Sequence, residues 1–124
     1  LQGSEWAHGD LGTVRRGDVL VAFSHSGGTV EMVGAAHWFK ARQAHVLAVT
    51  GKAGGSSLSQ AAEAHLLALA PQELLGLVPT RSIVAQEMVV NGLLTAVSEA
   101  TGLTLGGFRE NHPGGSIGSS AGQG

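Results

Sequence analysis

The chain contains no cysteine and no tyrosine, and aromatic residues make up only 4% of it. Without cysteine there are no disulfides, no thiolate chemistry and no Cys-type zinc sites, which fits a cytoplasmic setting. Lysine occurs only at Lys40 and Lys52, and five arginines are dispersed in a chain of net charge −2. No basic patch forms, which argues against a nucleic-acid partner. No apolar run approaches the roughly 18 residues a membrane-spanning helix needs. The opening Leu1-Gln2-Gly3-Ser4-Glu5 lacks the basic and apolar regions of a secretory leader. Several motifs are also missing: His-x-x-x-His, the Walker loop, the dinucleotide fingerprint and the Gly-x-Ser-x-Gly elbow. The six histidines therefore do not spell a metal site, and neither a nucleotide loop nor a hydrolase triad has support.

What remains is a chain of 124 residues, one domain's worth. It is 43% hydrophobic and 13% charged, a balance that argues against disorder and for an aliphatic core. Its 20 glycines show no Gly-X-Y period. They gather at the ends of apolar runs, where turns and ligand loops form.

The apolar run Asp18 to Phe23 reads as a strand ending in the polar loop Ser24-His25-Ser26-Gly27-Gly28-Thr29. Val30 to Arg42 reads as an amphipathic helix, and His45 to Val49 as a second buried strand followed by a flexible loop, Thr50 to Gly55. Ser57-Leu58-Ser59-Gln60 has capping-box spacing and predicts a short helix. Ala64 to Leu69 reads as a third strand and Pro71 to Pro79 as a loop. The longest helix is predicted from Thr80 to about Ala100, with Gly102 as its stop. Its apolar residues cover more than one stripe, which predicts a second packing surface, another subunit. Alternating strands and helices predict an α/β fold with a parallel sheet and right-handed crossovers. Ligands in such folds bind beyond the carboxyl ends of the strands, where the glycine loops fall.

The Ser24–Thr29 loop joins a strand to a helix N-terminus, whose free amides and dipole attract anions. Phosphate is the natural guest; an ordinary Gly-Ser turn with Thr29 as a cap is the plainer alternative. Glu31, in the first turn of that helix, is either a general base beside an anion or a charge favourable to the dipole. Glu73 is a second carboxylate at a strand end, or a solvated loop charge. His8 and Asp10 could share a cation, though a turn accounts for them better. His112, before Pro113-Gly114-Gly115, is either a proton-transfer group held at a cleft edge or an exposed turn histidine.

Three blocks together resemble the sugar isomerase (SIS) domain, most closely its arabinose-5-phosphate isomerase group. His8-Gly9-Asp10-Leu11-Gly12 is similar to that group's HGDLG. Ser24-His25-Ser26-Gly27-Gly28-Thr29-Val30-Glu31 is similar to its SNSGExxE loop. His112-Pro113-Gly114-Gly115-Ser116-Ile117-Gly118 is similar to its HPGGxxG, and Leu77-Val78-Pro79-Thr80 resembles its LAPT segment. The resemblance implies a three-layer α/β/α sandwich of flavodoxin-like type with its first strand missing. The domain would run over 1–118, with 119–124 as a flexible tail. It implies a phosphorylated sugar as ligand and cofactor-free, metal-free aldose–ketose isomerisation through an enediol(ate), in a cytoplasmic homo-oligomer with neither membrane nor nucleic acid as partner. It makes Glu31 the candidate base and His112 the ring-opening or proton-transfer group, with Glu73 a further catalytic candidate. It puts Ser24, Ser26 and Thr29 on the phosphate, and His8, His25, Gly27 and Thr80 in the substrate site.

The chain departs from the pattern at several points. The group's strand and Gly-Lys-Ser turn ahead of HGDLG, with an active-site lysine, are absent. Counted without gaps, the group's glutamate before Pro-Leu-Gly-Leu-Ala-Pro-Thr falls on Pro71, and Glu73 takes its place only with a shifted loop. The loop asparagine is His25, the following glutamate is Gly28, and the serine after Pro-Thr is Arg81. A missing strand leaves a sheet edge exposed. A non-catalytic phosphosugar-binding module of a regulator is the alternative reading.

Overall fold

A computed structural model describes residues 10–104 together with 106 and 107. His8, His112 and the 119–124 tail lie outside the described residues. The chain forms two compact units, residues 1–89 and residues 90–124.

The first unit holds a parallel sheet of three strands in sequence order, β1 (Val19–Ser24), β2 (His45–Thr50) and β3 (Ala64–Leu67). The β1–β2 register runs from Val19↔His45 to Ser24↔Thr50, and Thr50 is in turn opposite Leu67. All three strands therefore stop at one level, and their following loops open on one end of the sheet. Two helices make the crossovers, α1 (Val30–Ala41) and α2 (Ser57–Ala61). The α/β class and parallel sheet expected from the element order are present.

The core lies between the sheet and this helix pair. Ala22, Ala36, Ala44, Ala48 and Ala61 surround Phe39, Val46 and Leu58 in one buried cluster. Small residues at most of these positions let the helices approach the strands closely. Leu58 is fully buried and contributes about 2–3 kcal/mol by that burial. With so few aromatics, Phe39 is the only ring in the cluster of buried residues; Trp38 packs against its margin, and Arg42 stacks over the Trp38 ring with its guanidinium carbon 4.0 Å from the centroid.

Most element ends shift by a single residue, and two differences from expectation have a clear physical cause. The capping box is framed one residue earlier than the sequence spacing suggests. Ser56 is the N-cap and accepts from the Ser59 amide at 3.2 Å, while the Ser56 amide donates to the Ser59 hydroxyl at 2.8 Å. Ser59 reciprocates with a short hydroxyl where the usual box has Glu or Gln. β3 ends at Leu67 rather than Leu69, because β2 has no further residues to pair: the Ala68 amide closes the ladder on the Thr50 carbonyl at 2.8 Å.

Helix α3 (Arg81–Thr101) begins in the first unit and ends in the second. Gly102, with φ at 64°, terminates it as expected. Its amide bonds the Glu99 carbonyl and the Leu103 amide reaches back to Ser98, the paired bonds of a glycine-ended helix. The only buried residue of α3 is Ser82, while Ile83, Val84, Met88, Leu94 and Val97 are exposed.

Candidate functional site

The site is built at the carboxyl ends of β1 and β2. Ser24, the last residue of β1, is buried. Its hydroxyl pairs with the Thr29 hydroxyl at 2.7 Å and accepts from the Gly27 amide at 3.0 Å. Gly27 has φ of 69°, and a Cβ there would stand 2.2 Å from the Ser56 hydroxyl. The Gly27 carbonyl accepts from the Leu58 amide at 2.9 Å. The loop is thus clamped against the start of α2, and glycine at 27 is required both by backbone conformation and by space. Gly28 adds a bond from its amide to the Ser26 hydroxyl at 3.2 Å.

This clamping leaves the start of α1 open. Thr29 is its N-cap residue, yet its side chain makes no capping bond, because the hydroxyl is turned to Ser24. The first amides of a helix have no partner within the helix. The amide groups of the first turn of α1 therefore remain available beside the hydroxyls of Ser26 and Thr29, with the positive end of the dipole behind them. An anion is what this arrangement accepts.

The start of α3 is treated the opposite way. The Glu73 carboxylate accepts from the Thr80 amide at 2.6 Å, the Thr80 hydroxyl at 2.9 Å, the Arg81 amide at 3.1 Å and the Ser82 amide at 2.8 Å. The intervening loop is drawn into a small closed turn, with a bridge between Leu74 and Val78 and left-handed backbone at Leu75 and Gly76. The Arg81 guanidinium donates to the Gln72 carbonyl. Hydrogen bonding from the Ser82 side chain, then from the Thr80 amide, pulls the Glu73 carboxyl down from its ordinary 4.5 to about 2. Glu73 is an anion already in place.

Both helix starts border one cleft of about 590 Å³, whose walls include Ser24, His25, Ser26, Thr29, Gln72, Glu73, Ser82 and Gln86. That size is ordinary for a small-molecule site. Five of the residues singled out in the sequence therefore share one cavity wall: Ser24, His25, Ser26, Thr29 and Glu73. Gly27 faces Ser56 instead. The Thr80 hydroxyl is spent on Glu73. Glu31 stands exposed in the first turn of α1 and does not line the cleft. His8 and His112 lie outside the described residues. Among the described residues no group of three metal-ligating side chains comes together, and no helix is long and apolar enough to cross a membrane.

Sequence reasoning missed Gln72, Ser82 and Gln86 in the wall, and the role of Ser56 behind it. The residues from the 72–86 segment come to β1 only through the fold. Ser56 had a visible signal, since a serine three residues before another serine is a workable box.

A parallel α/β sheet has glycine-serine loops at its carboxyl end, opening on a cleft with one uncapped helix start, an arrangement whose chemistry suits a small anion. The SIS domain family matches residues 2–96, and the chain belongs to that family. It is 38% identical over 116 residues to the arabinose 5-phosphate isomerase KdsD of Salmonella typhi, a match covering 92% of this chain and 35% of that protein. The chain thus spans about a third of the length of the curated relatives it matches. Among solved structures, an Escherichia coli CFT073 protein in complex with arabinose 5-phosphate superposes with a TM-score of 0.77 at 29% identity, over 90% of this chain and 60% of that one. A Listeria monocytogenes structure shares the fold at a TM-score of 0.79 and 22% identity, over 92% of this chain and 60% of that one.

Proposed function

We propose that the chain is the phosphosugar-binding part of an aldose–ketose isomerase acting on a five-carbon sugar phosphate of the arabinose 5-phosphate type. The observation that carries this reading is the uncapped start of α1, set among Ser24, Ser26 and Thr29 at the mouth of the cleft, in a chain 38% identical to arabinose 5-phosphate isomerases. The phosphate takes the amides of the first turn of α1 and the hydroxyls of Ser26 and Thr29. Binding then exchanges the Ser24–Thr29 hydroxyl pair for bonds to the ligand. The sugar extends along the wall towards Gln72 and Gln86.

Isomerisation moves a proton between C2 and C1 through an enediolate and needs a carboxylate free to accept it. Glu73 is held by four donors and at about 2, a poor proton acceptor near neutral pH. Glu31 makes no side-chain hydrogen bond among the described residues and belongs to the same first turn of α1, so the base is assigned to Glu31. His112 is the proposed ring-opening group and His8 a proposed substrate contact. Thr80 supports the wall through Glu73. The SIS domain reaching residue 118, a cytoplasmic setting and chemistry without a cofactor belong to the same reading. So does a homo-oligomer, which the exposed apolar side chains along α3 support.

Proton NMR of arabinose 5-phosphate in D₂O tests the assignment. Loss of the C2 proton signal with growth of a ketose is the expected result. Glu31→Gln abolishes that loss while the phosphosugar still binds. Turnover retained in Glu31→Gln removes Glu31 as the base. Binding by the unaltered chain with the C2 proton untouched replaces the isomerase reading with that of a non-catalytic sensor.

A further inference from the structure

The cleft has an unusual charge balance. Of the described residues lining it, Glu73 carries a negative charge and His25 is the only one able to carry a positive charge. No lysine or arginine is among them. A phosphate monoester brings a charge of about −1.5 to −2 at pH 7, so ligand and Glu73 together place close to three negative charges around one imidazole.

His25 is held where it can respond. Its carbonyl accepts from the Gly51 amide at 3.0 Å. Its ring lies so tightly against Gly51 that a Cβ there would stand 2.3 Å from Nδ1 and 2.6 Å from Cε1. Gly51 thus leaves the space that the ring fills. The ring makes no hydrogen bond to any described residue.

The other charged or titratable groups on the neighbouring elements do not take over this role. Lys52 follows Gly51 but is outside the wall. Arg81 is turned to the Gln72 carbonyl. His65 bonds the Thr50 hydroxyl through Nε2 at 2.8 Å. Glu31, in the first turn of α1, adds negative charge.

We propose that His25 takes up a proton when a phosphosugar fills the cleft, making this side chain the link between phosphosugar affinity and pH. The inference rests on the phosphosugar reading above. By linkage, a ligand that draws a proton onto His25 binds the protonated protein more tightly. Affinity therefore rises as pH falls through the range in which imidazole titrates.

The test is a histidine Cε1–H NMR titration of the whole chain from pH 5.5 to 8.5, with and without saturating arabinose 5-phosphate. The His25 signal is identified from its loss in His25→Asn, and the amide shifts of α1 report occupancy independently. The expected result is an upward movement of the His25 midpoint by about one pH unit, equivalent to about tenfold tighter binding to the protonated form. His25→Asn then binds about tenfold more weakly at pH 6 and keeps only the pH dependence of the phosphate itself. Occupancy at α1 with an unmoved His25 midpoint overturns the proton linkage and leaves the phosphosugar reading standing. Absence of occupancy at every pH overturns both.

Discussion

Helices α1 and α3 start in opposite ways and end with different residues. Helix α3 is satisfied at each end: Glu73 fills its start with a carboxylate, and Gly102 ends it in the left-handed conformation that glycine adopts without strain. Helix α1 is left uncapped at its start and is closed at its end by a residue without glycine's freedom. Its N-cap threonine looks away to Ser24, and its end turns on Gln43, a non-glycine residue at φ of 60°. The closing bonds at that end match those of α3, with the Gln43 amide on Lys40 and the Ala44 amide on Phe39. Stability that local rules make available at α1 has been left unused. At its start, the unused capacity is what a phosphate would take up.

The most direct way to break the contrast is to give α1 the cap that α3 has. Thr29→Asp supplies a side-chain carboxylate to the first-turn amides. Helix stability rises by about 0.5–1 kcal/mol, while affinity for arabinose 5-phosphate falls by about a hundredfold, because ligand and cap then compete as like charges. Thermal unfolding and a binding titration on the same sample check both halves. A variant that is more stable and binds equally well would place the phosphate elsewhere.

Glu73→Gln tests the other helix. The Glu73 carboxyl is depressed in the folded chain, from 4.5 to about 2. Its stabilisation is therefore complete above pH 4.5 and lost as pH falls from there towards 2. Unfolding curves across that window should show a decline in the unaltered chain that is shallower in Glu73→Gln. Equal declines would mean that other carboxyls carry the acid sensitivity.

The smallest effect is expected at the end of α1. Gln43→Gly relieves the left-handed strain and should stabilise the chain by about 0.5–1 kcal/mol, without altering phosphosugar binding. A loss of stability in chemical denaturation would show that the Gln43 side chain contributes more than its backbone costs.

Much of this was legible in the residues. The runs at Val19–Phe23 and His45–Val49, each followed by glycine and serine, announce buried parallel strands and their loops, because continuous apolar runs and turn residues are local signals. Gly102 announces a helix end for the same reason. The capping frame was misplaced by one residue because Ser56, Ser57 and Ser59 are chemically near-equivalent and only backbone geometry chooses among them. The state of Glu73 was not legible at all. In the chain it is one loop carboxylate among prolines and leucines; its four donors are seven to nine residues away and converge on it only when the 74–79 segment closes.

The sequence by itself determined the class of fold, the strand-to-helix loop of Ser24 to Thr29 and the SIS family, since these rest on local patterns and on motif order. Tertiary structure decided which residues are free to act there. It turned Thr29 away from its own helix, tied Glu73 to α3 and laid the His25 ring on Gly51. Those outcomes depend on which groups reach one another across the fold, and hydrogen-bond competition between distant segments leaves no trace in the spacing of either.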